Sequence, residues 1–361
     1  MVFFKSIIKE LLDAGNTVDI ATNESSFTVP DEYRRWDCKV YQMNWSRSPF
    51  SPSNTKSVRE LRRLVEENHY EIVHCHTPVA GVCTRLACKK LRKNGTRVFY
   101  TTHGFHFYKG APFRNWLCYY PIERYCSRIT DTLITINHED YELAKKKMKA
   151  GQVRYVPGVG VDVDRFRAIS IDRTVKREQL GIPKDAIVLI SVGELNLNKN
   201  HKLVIQAMSA MRNDRIHYLI AGDGPMQNNL IEQAKKSGVE AQVHLLGFRN
   251  DIPELYQSAD ICVFPSIREG LGLAAIEAMA AGLPVICMDN RGSREYAPMY
   301  EQAGFSCVFH DEKSLEALIL RLMNDESIRA AMAKQGLLVS DHFSVNNSNK
   351  IMKEIYGISE S

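Results

Sequence analysis

Residues 265–284 read PSIREGLGLAAIEAMAAGLP. One apolar run of strand length, ICVF at 261–264, leads into this stretch, and another, VICM at 285–288, follows it. Glu269 stands in a glycine-broken loop, Glu269-Gly270-Leu271-Gly272-Leu273. Glu277 lies seven intervening residues further on, inside the helix-forming run AAIEAMA. Strand, tight loop, helix and strand in that order are one turn of a parallel α/β sheet. A glycine loop that opens a helix presents free backbone N–H groups and a positive dipole end, which suits an anion such as a diphosphate. A carboxylate at the loop and a second about two turns down can accept hydrogen bonds from ring hydroxyls at two places. Phosphate and hydroxyls together suggest a nucleotide-sugar. On spacing alone two solvated glutamates fit as well, because glycine loops ahead of helices are common.

The same alternation runs along the whole chain. Strand-like runs fall at 17–21, 39–43, 72–75, 97–102, 132–136 and 154–156, and then at 187–192, 217–221, 242–246, 261–264 and 285–288. Helical patterns such as 57–68, 138–149 and 203–210 lie between them. Two such series, in 361 residues, predict an α/β protein of two Rossmann-like domains with parallel sheets covered on both faces. The expected division gives residues 1–165, with about 344–361, to the first domain and 166–343 to the second, the change falling where polar residues crowd at 165–176. The chain opens on a helical pattern at 3–14 that feeds the strand at 17–21. A Rossmann order puts its first strand at the centre of the sheet. The first domain is therefore expected to lack that strand, and the natural protein to carry roughly 10 to 25 further N-terminal residues.

Hydrophobic residues at 44% and charged residues at 25% place the chain with soluble globular proteins. No run approaches the roughly 20 apolar residues of a bilayer-spanning helix. The opening MVFFKSIIKELL carries charges through its apolar positions, unlike a secretory leader. Nine cysteines, an odd number with no CxxC pair, read as reduced, mostly buried thiols of a cytoplasmic protein. The net charge of +5 is uneven: residues 1–165 hold 26 Lys and Arg against 18 Asp and Glu, and the remainder 21 against 24. A basic first half suits an anionic lipid surface or a phosphorylated acceptor, and ordinary solvation accounts for it equally. The basic residues are not interleaved with a nucleic-acid reading module, so no nucleic-acid partner is expected.

Further segments extend the pattern: Ala221-Gly222-Asp223-Gly224-Pro225, Leu246-Gly247-Phe248-Arg249, Pro157-Gly158-Val159-Gly160-Val161-Asp162 and Gly282-Leu283-Pro284-Val285. Together with Glu269, seven residues and Glu277, they resemble the retaining glycosyltransferases of family 4. The run Thr102-His103-Gly104-Phe105-His106 is most similar to the capsule and exopolysaccharide branch of that family. The resemblance covers about residues 16–357. It implies a GT-B fold: two Rossmann-like domains facing a cleft, acceptor on the first, donor on the second, and a C-terminal helix crossing back to the first domain. It implies that Lys199, in Gly193-Glu194-Leu195-Asn196-Leu197-Asn198-Lys199-Asn200, contacts the donor diphosphate. An ammonium there neutralises charge building on the leaving group. It also implies that Glu277 holds the ribose hydroxyls, that Glu269 meets the transferred sugar, that His103 contacts the donor sugar or phosphate, and that Gly193, Gly247, Phe248, Arg249 and residues Gly270, Leu271, Gly272 and Leu273 complete the donor site. Many relatives carry an arginine where this chain has Glu194. The second cation of the phosphate clamp is then Arg268 or Arg291, or its work falls to the backbone at Gly272 and Leu273.

No metal and no cofactor are expected. His74 and His76 alternate on one strand around Cys75, which is weak support for a metal. Asp162-Val163-Asp164 lies in the inter-domain motif and reads as structural. The segment 105–128 is dense in aromatics and cations: Phe105, Phe107, Tyr108, Lys109, Phe113, Arg114, Trp116, Tyr119, Tyr120, Arg124, Tyr125 and Arg128. It reads equally as a helix packed within the domain and as a membrane interface. The resemblance to the capsule branch, whose members often extend lipid-linked saccharides at the inner membrane face, implies that it docks on the bilayer or cradles a polyprenyl-diphosphate acceptor.

The function expected is a retaining hexosyltransferase. It moves a sugar from a nucleotide-sugar, most simply a UDP-sugar, to a saccharide or lipid-linked saccharide in surface-polysaccharide assembly, in the cytoplasm or peripheral to the inner membrane face. The alternatives are a sugar-nucleotide epimerase of the same architecture and a truncated, non-catalytic nucleotide-binding protein.

Overall fold

A computed structural model describes residues 4–25, 28–46, 48 and 51–358. The chain forms two compact units, Met1–Gly160 with Ser348–Ser361, and Val161–Asn347. The division falls a few residues from the expected one for a local reason. Val161 bridges Ser344, and Phe166 is buried 6.0 Å from the ring of Tyr256, so the segments beside both crossings pack within unit 2. Asp162, in the Asp-x-Asp run, caps the short helix Val163–Arg167 by accepting from Arg165 N–H.

Unit 2 is built on one six-stranded parallel sheet: β7 (Ile187–Val192), β8 (Ile216–Ala221), β9 (Val243–Gly247), β10 (Ile261–Phe264), β11 (Val285–Met288) and β12 (Val308–Phe309). Their order is β12-β11-β10-β7-β8-β9. β7, β8 and β10 read IVLISV, IHYLIA and ICVF and are buried almost throughout. A continuous apolar run is what a sheet covered on both faces requires. The order reverses at the β7/β10 junction. Loops at the carboxyl ends there meet at the switch point where open α/β sheets receive ligands.

Unit 1 holds its strands in two separate parallel sheets. β1 (Ile20–Thr22) pairs with β2 (Val40–Gln42), while β3 (Ile72–His76), β4 (Arg97–Thr102), β5 (Thr132–Thr135) and β6 (Gln152–Tyr155) form the second in sequence order. The helix before β1 spans Lys5–Asp13; Phe3, placed in that helix by the sequence, lies outside the described residues. From Ser348 the last helix, Val345–Tyr356, belongs to unit 1, where Ile355 joins Phe99, Ile134 and Val156 in one apolar cluster.

Candidate functional site

Three loops at the carboxyl ends of β7, β8 and β10 are stitched together by backbone bonds. Leu195 N–H donates to Asp223 O (2.8 Å), Met226 N–H to Leu195 O (2.9 Å) and Ile267 N–H to Asn198 O (2.8 Å). Asn198 Nδ2 donates to Arg268 O at 2.9 Å. A Cβ on Gly222 would stand 2.0 Å from Gly193 O, so the Gly222–Pro225 turn owes that glycine to the loop passing over it. Gly193 leaves β7 with its N–H on Ala221 O, and Gly247 ends β9 with its carbonyl accepting from Gly222 N–H.

This stitching sets Lys199 Nζ 2.7 Å from Glu269 Oε1, across 70 residues of sequence, with both side chains largely enclosed. The ammonium also lies 5.1 Å from the centre of the Phe264 ring, where β10 ends. The same ring explains Gly272, which has φ +90° and whose Cβ would stand 2.7 Å from Phe264 Cε1. From that left-handed glycine the Leu273–Ala280 helix starts without a side-chain cap and buries Ala275, Ile276, Ala278, Met279 and Ala280. Ala275 N–H donates to Gly272 O at 3.0 Å, whereas the N–H groups of Leu273 and Ala274, near half-buried Gly270 and buried Leu271, meet no acceptor among the described residues and suit an anion. Glu277 stands on the second turn. Burial raises its pKa, the charges of Arg165 and Lys199 pull it down, and among the described residues none donates a hydrogen bond to its carboxylate.

Glu194 is exposed and accepts from Asn196 Nδ2 at 2.9 Å within its own loop. Arg249 is committed as well. Its Nε and Nη2 donate to Asp251 at 2.7 and 2.6 Å, and with Lys176 it holds that carboxyl well below the usual range. Phe248 beside it is 73% exposed. Of the two arginines weighed for the clamp, Arg268 is exposed, whereas Arg291 is buried in the 289–292 turn against the glutamate loop. Asn290 Oδ1 builds that turn by accepting from Gly292 and Ser293 N–H at 2.9 and 3.1 Å. A Cβ on Gly292 would stand 2.5 Å from Leu271 O and 3.0 Å from Glu269 Cβ. The turn therefore buttresses Glu269, a role the sequence reading missed. The available signal was a glycine just beyond the end of β11.

In unit 1, His103 follows β4 at the carboxyl end of the sheet and is exposed, its Nε2 3.3 Å from His76 Nδ1. His106 instead stacks on Tyr119, with centroids 4.6 Å apart. The aromatic segment divides by helical face. Phe105, Phe107, Trp116 and Tyr120 pack inward, and Phe113, Leu117, Tyr119, Ile122 and Tyr125 of the Phe113–Ser127 helix are exposed. Among the described residues no group of three or more His, Cys, Asp or Glu is arranged to hold a metal ion, and no helix is long and apolar enough to cross a membrane.

Comparison with known proteins gives a consistent picture. The family model "Glycosyl transferases group 1" matches residues 172–338, and "Glycosyltransferase Family 4" matches residues 2–165. EpsD of Bacillus subtilis (strain 168), named as a glycosyltransferase, is 42% identical over 314 residues, covering 86% of this chain and 82% of that one. The Escherichia coli UDP-Gal:alpha-D-GlcNAc-diphosphoundecaprenol alpha-1,3-galactosyltransferase is 28% identical over 309 residues, covering 83% of this chain and 79% of its own. Among solved structures, Anabaena Alr3699/HepE in complex with UDP and glucose superposes with a TM-score of 0.80 at 19% identity, covering 99% of this chain and 95% of the other. That likeness identifies the fold as GT-B.

Proposed function

This chain belongs to the family 4 (group 1) glycosyltransferases and is an enzyme of that class. From that premise we propose that it is a retaining transferase that uses a UDP-sugar and a lipid-linked saccharide acceptor in surface-polysaccharide assembly. The observation that carries the reading is the arrangement around Lys199: an ammonium paired with Glu269, a helix start without a side-chain cap, and on that helix's second turn a carboxylate with no hydrogen-bond donor among the described residues. Lys199 and the N–H groups of the loop Gly270–Leu273 take the diphosphate, and Glu277 accepts from the ribose hydroxyls. Glu269, released from Lys199 as the phosphate arrives, accepts from the sugar. Gly193, Gly247, Phe248 and the backbone of Arg249 frame the donor in unit 2, and within unit 1 His103 offers a substrate contact at the carboxyl end of its own sheet. The bond from the anomeric carbon to the phosphate oxygen breaks while the acceptor oxygen bonds to that carbon on the same face. The acceptor proton passes to the departing phosphate, and UDP leaves. No metal enters this scheme, because the lysine and the helix start meet the leaving charge.

A UDP-containing relative structure and a relative named for a diphosphoundecaprenol acceptor support the choice of donor and acceptor class. The exposed apolar face of the Phe113–Ser127 helix supports work at the inner membrane face. Calorimetric titration of UDP, GDP and ADP tests the donor site. UDP should bind selectively, and Lys199→Ala and Glu277→Ala should each weaken it about 10- to 100-fold, the scale of a lost charged hydrogen bond. Equal binding of all three nucleotides, or unchanged affinity in both variants, would place the donor elsewhere. Isomerisation of the UDP-sugar without acceptor would favour an epimerase.

A further inference from the structure

Three histidines at the carboxyl end of the β3–β6 sheet form one packed assembly. The His76 ring lies between Phe4 (centroids 4.3 Å, interplanar 35°) and His74 (4.3 Å, 37°). His74 is fixed at both nitrogens, with Nδ1 2.7 Å from the Tyr356 hydroxyl and Nε2 2.8 Å from Thr101 Oγ1. A ring anchored at both edges cannot flip, so it gives His76 a rigid floor while Phe4 forms the roof. His76 then directs Nδ1 at His103 Nε2, 3.3 Å away. Burial lowers His74 to about 3 and keeps His76 well below its ordinary 6.5, so both rings are neutral at physiological pH.

The surroundings of the His103 ring lower its pKa as well, so it too is neutral, and two neutral imidazoles that face each other through one nitrogen each share a single proton. Whichever nitrogen carries it donates and the other accepts, so one ring's tautomer dictates the other's. With Nε2 committed, His103 presents only its Nδ1 edge to a ligand. We propose that His76 is a positioning residue for His103: the Phe4–His76–His74 stack fixes the orientation of the His103 ring and selects the tautomer it offers to substrate. The sandwich is otherwise hard to account for, because Phe4 and His74 would pack equally well around an apolar ring. The proposal rests on the reading that His103 contacts substrate.

Two variants separate bond from stack. His76→Phe keeps the aromatic sandwich and loses Nδ1. His76→Asn loses the ring but places an amide nitrogen near the former Nδ1. UDP release is followed with UDP-glucose, UDP-galactose and UDP-N-acetylglucosamine, the fastest donor being used throughout. His76→Phe should lower kcat about 10- to 100-fold, the cost of a modest misplacement, with KM for donor and the melting temperature near wild type. His76→Asn should restore most of the rate. Nitrogen-15 spectra of the imidazoles should show one tautomer for each of His76 and His103 in the wild type, and a mixture for His103 in His76→Phe. Wild-type turnover in His76→Phe, with His103→Ala inactive, overturns the positioning role and leaves the reading of His103 standing. Wild-type turnover in His103→Ala removes that reading, and the spectra still decide: mixed tautomers in the wild type, or an unchanged His103 in His76→Phe, overturn the proposal without reference to rate.

Discussion

Burial on the second turn of its helix raises the pKa of Glu277 against the pull of Arg165 and Lys199, with no donor among the described residues reaching the carboxylate. A carboxyl whose folded pKa lies above its unfolded value binds its proton more readily when folded. Its ionisation therefore works against the fold, and this penalty appears as pH rises through the folded pKa. Glu277→Gln should accordingly melt roughly 1–4 °C above the wild type at neutral pH. The difference should close as pH falls from the raised folded value toward the ordinary carboxylate range. Melting curves of both proteins across that window check the sign, and a less stable glutamine variant at neutral pH would contradict it. A ligand hydroxyl that donates to this carboxylate lowers its pKa again, so UDP affinity should also fall as pH drops through the raised value. At this scale the sequence was partly readable. Glu269 and Glu277 were visible through their glycine context and Lys199 through the family resemblance, and the structure brings Lys199 and Glu269 to 2.7 Å. What Glu194 does was not readable, because its bond to Asn196 depends on the path of a loop rather than on residue type. The commitment of Arg249 to Asp251 was closer to hand, since the two stand only two residues apart.

The Phe113–Ser127 helix shows how far an element can be read from its residues. Its composition pointed equally to a packed helix and to a docking surface; the structure packs one side of the helix inward and leaves another exposed. Phe107, Trp116 and Tyr120 close the inner cluster, while Phe113 is 80% and Leu117 65% exposed. Ile122 and Tyr125 continue the outer stripe, and Arg114 and Arg128 are exposed beside it. The helix's only acid, Glu123, is turned inward onto Arg85, so no carboxylate on the helix opposes an anionic surface. Such a face inserts aromatic and aliphatic groups at headgroup depth and adds about 1 kcal/mol for each basic residue near an anionic leaflet. Flotation with vesicles of phosphatidylethanolamine, with and without about one-third phosphatidylglycerol, tests this, the lipid ratio being chosen to give an anionic surface. The wild type should float with the anionic vesicles, and Phe113→Ser/Leu117→Ser should stay behind with its UDP affinity unchanged. Equal flotation of both proteins would remove the helix from that role. Shorter elements were harder to see. β12 has two residues, too few for a period to register, whereas β7 and β8 stood out as long unbroken apolar runs.

At the scale of the molecule, alternation made two α/β units legible, because a fully covered parallel sheet writes itself as continuous apolar runs between helical patterns. The tie between the helices Pro78–Cys88 and Phe113–Ser127 was not legible, since it runs through a buried ion pair whose members look like surface charges in the sequence. Arg85 is fully buried on the helix Pro78–Cys88. It donates through Nη1 and Nη2 to Glu123 at 2.8 and 3.1 Å, and through Nε to Gly81 O at 2.9 Å. Its guanidinium lies 4.0 Å from the centre of the Tyr100 ring on β4. One side chain thus ties two helices and the strand that carries His103. Removing only one member leaves the other charge buried without a partner, which costs about 3–5 kcal/mol, whereas replacing both with apolar groups of similar volume is often close to neutral. Urea unfolding should show Arg85→Met losing roughly that amount and Arg85→Met/Glu123→Leu regaining most of it. UDP binding by folded Arg85→Met should stay at the wild-type level, since every residue assigned to the nucleotide lies in unit 2. A double variant no more stable than the single one would mean that the pair holds the unit through its hydrogen-bond geometry rather than through mutual neutralisation of two buried charges.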